Sequence, residues 1–416
     1  MLEWPRYDIK DACRYTPGTK LELILKVTER CNIACDYCYF FYAGNESHAV
    51  HPSIMHRDIF EGTIRFVEDA IEDLNVDTVQ FDFHGGEPLL LKPAYFDWMC
   101  TTIRERLGHL AEVTFAIQTN GILVNDTWIE LFGRHKVHVG VSIDGPAAYH
   151  DQHRIDHKGR PTHAQVVRGI ERLKAAYRDG RMGDIAALCV VDEDVDIAAV
   201  YEHLVGELDI RSLNFLFPEI KGSTFNRRVP ARMVAVFEEL TQLWLRDRSI
   251  NLSLLRHPYG RLNTPGPYDE DVALHQFMKS MVFTVYSNGE IGPDDTLRPL
   301  APELFETGLN VTTNSIAEVI DHPAFRSFSL ESFNLPTDCA DCCWRNVCRA
   351  GELSHRHSEE RRFANPSTYC DALAEMYSTL AADAINRGVS IASLAARLGL
   401  SPEELGGGDA AVSAVA

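Results

Sequence analysis

The sequence predicts an α/β fold: a partial (β/α)6 barrel, then a small cysteine-bearing domain and C-terminal helices. Three observations lead there. Apolar strand-length runs alternate with helix-length segments over the first half of the chain. The alternation stops after Arg228, and eight of the eleven cysteines fall in two groups, Cys31 to Cys38 and Cys339 to Cys370.

Leu21 to Thr28 (LELILKVT) reads as a buried strand, and His56 to Asp73, with acids on its wet face, as an amphipathic helix. Thr78 to Phe83, Glu112 to Gln118, Val137 to Ile143, Ile185 to Val191 and Ser212 to Phe217 are further strands, each separated by helix-length sequence. Right-handed winding of such units gives a closed or partial barrel whose chemistry gathers at the C-terminal ends of the strands. Beyond the barrel, a helix at Met233 to Leu245 leads through a Pro- and Gly-rich loop to a hairpin, Met281 to Tyr286 followed by Ser287-Asn288-Gly289-Glu290. A helical stretch from Ser367 to Asn386 precedes a tail, GGGDAAVSAVA, that lacks the bulk to pack and is expected to be disordered.

Composition narrows the class. The 416 residues carry a net charge of −20 with 45% apolar content, which describes a globular chain rather than a disordered one. The acidic balance argues against nucleic acid, whose phosphates are held chiefly by clustered Lys and Arg. No window approaches the roughly 18 apolar residues of a membrane span, and no signal peptide is visible, so a cytoplasmic protein with no membrane partner is expected. In a reducing cytosol the cysteine groups are expected to hold metal or react rather than form disulfides. Cys13, Cys100 and Cys189, standing singly, read as buried small hydrophobes or idle thiols.

The first group, Cys31-Asn-Ile-Ala-Cys35-Asp-Tyr37-Cys38, lies just past the first strand. Three thiolates on one short loop can bind three irons of a [4Fe-4S] cube and leave the fourth iron open. Zinc prefers four closed ligands, although His48 and His51 are near enough to keep that reading. At the end of the second strand stands His84-Gly85-Gly86-Glu87-Pro88, where paired glycines permit close backbone approach and a carboxylate can answer an ammonium. The plain alternative is a turn before a helix. Gln118-Thr-Asn120-Gly, Ser142-Ile-Asp144-Gly-Pro and His150-Asp-Gln-His-Arg154 follow at later strand ends. Arg154 can also be read as an ordinary ion pair with Asp151 or Asp156.

Together these segments resemble the radical S-adenosylmethionine (SAM) enzymes. Cys31, Cys35 and Cys38, with Tyr37 before the third cysteine, resemble that family's cluster signature, and Gly85, Gly86 and Glu87 its segment for the methionine amino group. Gln118, Asn120, Ser142 and Asp144 match its fourth- and fifth-strand motifs. The resemblance implies that Ser142 binds the ribose or methionine carboxylate of S-adenosyl-L-methionine and that Arg154 pairs with that carboxylate. It also implies the reaction: electron transfer from the reduced cluster releases methionine and a 5′-deoxyadenosyl radical that takes a hydrogen from the substrate. A low-potential donor such as flavodoxin or ferredoxin would supply the electron.

Skipping Cys343, the second group reads Cys339-x2-Cys342-x5-Cys348 with Cys370 further on, and resembles the C-terminal part of a SPASM domain. Four thiolates make a closed auxiliary [4Fe-4S] site suited to electron transfer or support. A zinc knuckle has the same ligand inventory, and adjacent Cys343 could replace a neighbour. There is no cysteine between Cys189 and Cys339, and Glu352 stands where a later one would be expected, so a single auxiliary cluster is expected. The expected segments are residues 1–20, an extension; 21–228, the radical-SAM barrel; 229–275, a helical bridge; 276–371, the SPASM-like domain; and 372–416, C-terminal helices and tail. About 20 residues before the first strand leave no room for a separate leader-binding module, so leader capture is expected from the core or from a partner.

A narrower resemblance covers nearly the whole chain. Pro293-Asp294-Asp295-Thr-Leu297, the run from Cys343 to Arg356 and Phe363-Ala-Asn365-Pro366-Ser-Thr-Tyr369-Cys370 look like the three-residue cyclophane-forming maturases of ribosomal precursor peptides. Those join an aromatic ring carbon to the β-carbon of a residue two places on. Asp295 is then the expected catalytic base for the ring proton, and the auxiliary cluster the electron's exit; alternatively both aspartates cap a turn. Anaerobic sulfatase maturases share several of these segments and would instead leave a formylglycine aldehyde, but they resemble a two-cluster pattern. A non-catalytic iron-sulfur or zinc scaffold would explain the cysteines without explaining Glu87 and its glycines.

Overall fold

The computed structural model describes residues 18–218 and 231–401. Cys13, most of the N-terminal extension, and the glycine-rich tail lie outside the described residues. The described residues pack as two compact units, each discontinuous in sequence: one holds those up to Ala187 together with Ala273–Leu330, the other those between Leu188 and Val272 and from Glu331 onward. The packing units therefore differ from the consecutive segments that the sequence suggests.

In the first unit, strands β1 (Thr19–Thr28), β3 (Val76–Gly85), β4 (Glu112–Thr119) and β5 (Val137–Ser142) pair in parallel, each connected to the next through a helix. Two short strands, β2 (Ile33–Cys35) and β6 (Arg154–Asp156), pair antiparallel beside them. β1 shows why the order is stable. Leu21, Leu23, Leu25 and Val27 are fully buried on one face, while Glu22, Ile24, Lys26 and Thr28 alternate onto the other. The helix Arg57–Leu74 buries Phe60, Ile64, Val67 and Ile71 at helical spacing and ends where Asn75 turns left-handed at φ 51°. Phe83, Phe96, Trp128 and Phe132 form a chain of ring contacts, with centroids 4.7–6.5 Å apart.

The hairpin is present. β10 (Ser280–Val285) and β11 (Ile291–Gly292) are antiparallel, and Gly289 takes φ +86° in the turn, where a side chain would be strained. Its position differs from the expectation of a separate domain: β10 lies parallel to β1, from Lys20↔Ser280 to Leu25↔Val285. This pairing carries Asp294 and Asp295 to the end of β1 where Lys26 stands.

β7 (Ile185–Val190) leads from the first unit into the second. There β8 (Ser212–Leu216) and β9 (Asn251–Leu252) pair in parallel, so regular structure continues past the point where the sequence shows it ending. Helices Ala231–Arg246, Ser253–Leu262, Cys370–Asn386 and Ile391–Leu398 make up most of the remainder. No helix among the described residues is long and apolar enough to cross a membrane.

Candidate active site

The thiol loop is built from both its ends. Strand β2 pairs Cys35 with Arg154, so the backbone that carries the second thiol is fixed to the segment that carries the arginine. Asn120 at the end of β4 holds the start of the loop, its Nδ2 donating to Asn32 Oδ1 at 2.8 Å and lying 3.8 Å from Cys31 Sγ. Burial pushes the Cys31 thiol up to about 12, that of Cys35 to about 11, and that of Cys38 upward. Each of these thiols has another of the three, or Arg154, among its electrostatic neighbours. Buried, clustered thiols of this kind bind as thiolates only where a cationic centre repays desolvation, so the donor set fits an iron-sulfur cluster. No three His, Cys, Asp or Glu side chains among the described residues close on a single metal ion.

Glu87 is 1% exposed, and its carboxylate accepts from Leu89 N at 2.9 Å, Thr119 Oγ1 at 2.7 Å and Asn120 N at 2.7 Å. Burial pushes its pKa up to about 7 against those three hydrogen bonds. The carboxylate thus ties the turn after β3 to the end of β4. The paired glycines are required by the chain itself: a Cβ on Gly85 would stand 2.1 Å from Thr28 O, and one on Gly86 2.2 Å from Arg30 O. Gly86 N and Glu87 N donate to those same two carbonyls.

Arg154 and Asp144 form a buried ion pair, with Nε 2.7 Å from Oδ2, and Tyr37 donates its hydroxyl to the same oxygen at 2.5 Å. Neither Asp151 nor Asp156 is the partner that the sequence suggested: Asp151 Oδ1 caps Thr162 and His163, and Asp156 pairs with Arg160. Arg154 Nη1 lies 3.9 Å from Cys35 Sγ and its guanidinium stands over the Tyr37 ring. Gln118 donates to Ser142 Oγ at 2.7 Å. The structure therefore brings Cys31, Cys35, Cys38, Tyr37, Glu87, Asn120, Asp144 and Arg154 into one network, with Gln118 and Ser142 side by side at neighbouring strand ends.

Asp295 is 3% exposed and does not cap the turn; Asp294 does, accepting from Thr296 N at 3.0 Å and Thr296 Oγ1 at 2.7 Å. Asp295 Oδ2 instead forms an ion pair with Lys26 Nζ and accepts from Tyr39 OH at 2.7 Å. Lys26 Nζ also lies 3.0 Å from His84 Nδ1 and 3.4 Å from Tyr39 OH. Burial pushes the Asp295 carboxyl up, but Lys26, His84 and Tyr39 together hold it below the ordinary carboxylate range; burial and then Lys26 bring His84 down to about 4. Sequence reasoning missed Lys26, Tyr39 and His84. The signal was available in LELILKVT, since a lysine near the end of a strand read as buried needs a buried partner.

The second unit holds the second cysteine group, Cys339 to Cys370. Cys339 and Cys348 each have Cys342 and Cys370 as electrostatic neighbours, and burial pushes the two up to about 11 and about 12. The Cys343 thiol lies against Cys342, and its pKa is raised mainly by that contact. Residues from the narrower resemblance brace this region: buried Arg356 donates to the carbonyls of Glu331, Ser332, Asn334, Phe363 and Asn365. Asn365 Nδ2 returns a hydrogen bond to Arg356 O at 2.8 Å. His355 Nε2 stands 3.3 Å from Phe217 O, and burial lowers its pKa to about 4.

Known proteins resemble this chain in domain and fold. Residues 25–200 match the Radical SAM superfamily. A cysteine-type anaerobic sulfatase-maturating enzyme of Clostridium perfringens is 24% identical over 366 residues, covering 86% of this chain and 95% of that protein. A serine-type anaerobic sulfatase-maturating enzyme of Bacteroides thetaiotaomicron is 34% identical over 165 residues, 39% of each chain. Among solved structures, native anSMEcpe with bound AdoMet and Cp18Cys peptide aligns with a TM-score of 0.71 at 22% identity, over 88% of this chain and 98% of that one. The chain thus has the radical SAM fold and carries a radical SAM domain homologous to that of the anaerobic sulfatase-maturating enzymes.

Proposed function

We propose that the protein modifies a side chain of a ribosomally made peptide, forming a carbon–carbon cross-link between an aromatic ring and the β-carbon of a residue two places away. The observation that carries this reading is the cysteine inventory: one set of four in the second unit, with Asp294 capping a turn where sulfatase maturases would place a cysteine ligand, and no cysteine from 190 to 338. Cys31, Cys35 and Cys38 would hold one [4Fe-4S] cluster and Cys339, Cys342, Cys348 and Cys370 another. Tyr37, Gly85, Gly86, Glu87, Gln118, Asn120, Ser142, Asp144 and Arg154 would surround S-adenosylmethionine. When bound, these groups supply hydrogen-atom abstraction. The chain's own part is to fix the arginine with Asp144 and to hold Asp295 ionised, so that its carboxylate can take the proton that a substituted ring must lose. A low-potential flavodoxin or ferredoxin would serve as donor.

A second reading, formylglycine formation, is favoured by the alignment along 95% of the Clostridium enzyme. Anaerobic incubation of the reconstituted protein with a short precursor peptide encoded beside its gene, and separately with Cp18Cys, separates the two. A peptide lighter by two hydrogens that does not react with hydroxylamine supports the cross-link; a hydroxylamine-reactive aldehyde supports the second reading. Under the first, Asp295→Asn lowers cross-linked product at least tenfold while 5′-deoxyadenosine still forms, since a placed general base contributes about 10²–10⁴. Wild-type cross-linking by that variant would remove Asp295 from the reaction.

A further inference from the structure

The ion pair beneath the candidate base is made by a lysine that neither fold nor cysteine chemistry explains. Lys26 is fully buried at the end of β1, and its three polar neighbours come from three other parts of the chain: Asp295 after the hairpin, His84 at the end of β3 and Tyr39 beyond the third cysteine. An ammonium has three donors and no acceptor. Facing it at 3.0 Å, His84 Nδ1 must present its lone pair, so the ring is neutral with its proton on Nε2. Asp295 Oδ2 receives both Lys26 and Tyr39. A carboxylate removed from water and given no cation would take up a proton and cease to be a base.

We propose that Lys26 is a positioning residue for Asp295, its ammonium held between Asp295 Oδ2 and His84 Nδ1 so that the carboxylate stays ionised and aimed in a site closed to water. This rests on the reading of Asp295 as base given above. The groups that face Asp295 are Lys26 from β1, His84 from β3, Tyr39 from the cysteine loop, Tyr286 from the hairpin and adjacent Asp294. Arg298, the next cation outward, stands over the Tyr286 ring and is paired with Glu290, so among the described residues Lys26 alone forms an ion pair with Asp295. Burial raises Asp294, and Asp295 raises it further, so the two adjacent carboxyls are driven apart in proton affinity and one alone remains the base. The structural alternative is that the pair merely fastens the hairpin region to β1, and the two roles predict different behaviour with pH.

The test compares wild type, Lys26→Met and Lys26→Arg, all full-length and reconstituted, with the gene-neighbour precursor, or Cp18Cys if that is the peptide turned over. The readout is modified peptide formed per 5′-deoxyadenosine between pH 6 and 8. Wild type should be flat. Lys26→Met should fall as pH is lowered, by at least tenfold at pH 6 relative to wild type, because Asp295 is then protonated; Lys26→Arg should restore the flat profile. Thermal unfolding of the same proteins without peptide gives a second readout. With the ion pair, Asp295 has a lowered pKa and stabilises the fold above the unfolded carboxylate pKa, an effect lost as pH falls. Without Lys26 its pKa is raised, so the variant's deficit in Tm should shrink on acidification from pH 8 to 5. A Lys26→Met protein with the wild-type product ratio and a flat profile overturns the proposal, as does a Tm deficit independent of pH. If Lys26→Met does not fold, Lys26→Met/Asp295→Asn should fold better than it does, and failure of that rescue also overturns it. Wild type that turns over neither peptide refutes the functional reading instead.

Discussion

Glu87→Gln is the sharpest test of the site. The sequence suggests a carboxylate waiting for the methionine ammonium, whereas the structure gives it three donors: Leu89 N, Thr119 Oγ1 and Asn120 N. A carboxamide has one oxygen where the carboxylate has two, so the amide nitrogen must face the donor that Oε1 or Oε2 served. Below pH 4.5, where the carboxyl is neutral, leaving one of those buried donors without an acceptor costs about 1–3 kcal/mol. For a unit of this size that is a fall in Tm of about 2–12 °C, which shrinks as pH rises because wild type alone then loses stability through Glu87. The pH dependence has a definite sign. Burial raises the folded pKa to about 7 from 4.5, so wild type is stabilised by this group below pH 4.5 and loses about 3 kcal/mol as pH rises through 7. Glutamine abolishes that slope. The assay is anaerobic thermal unfolding by circular dichroism across pH 4.5–8, with S-adenosylmethionine affinity measured by calorimetry on the reconstituted protein. If the carboxylate also meets the ammonium, Glu87→Ala weakens affinity by about 1.5–3 kcal/mol, or about 10- to 150-fold. An unchanged Tm and pH slope would refute the tie between the β3 turn and β4; unchanged affinity with an intact cluster would remove Glu87 from cofactor binding.

Other predictions follow from the cysteines and glycines. Anaerobic reconstitution should give about eight irons per chain, and Ala at Cys31, Cys35 and Cys38 together about four with no 5′-deoxyadenosine; zinc alone, or about twelve irons, would contradict the two-cluster count. Cys343→Ser should retain the iron of the second set and Cys370→Ser should lose about four, read by iron assay and electron paramagnetic resonance. Gly86→Ala should destabilise by more than about 3 kcal/mol, because the new Cβ would lie 2.2 Å from the Arg30 carbonyl oxygen and the backbone must move; a soluble variant with wild-type Tm would show that the turn can relax.

The local part of this protein was legible in its sequence. The run LELILKVT reads as a strand because its apolar residues alternate, and Cys31, Cys35 and Cys38 sit on one loop, so their nearness to one another needs no distant partner. The turn-capping alternative was also readable at Asp294, which binds Thr296 only two residues away. The partners that decide the chemistry were not readable, because each lies across a long stretch of chain. Lys26 meets Asp295 only because β10 pairs with β1, and sequence cannot reveal the register of a strand separated from its neighbour by two hundred residues and more. Glycine at 85 and 86 could be read as making room, but what fills that room is the Thr28 and Arg30 backbone, a fact of tertiary packing. Arg154 likewise had acids close in sequence on either side, yet the β2–β6 pairing turns it toward Asp144 and Cys35. Residue type and local spacing determined which groups lie near the strand ends; strand pairing decided which of them touch.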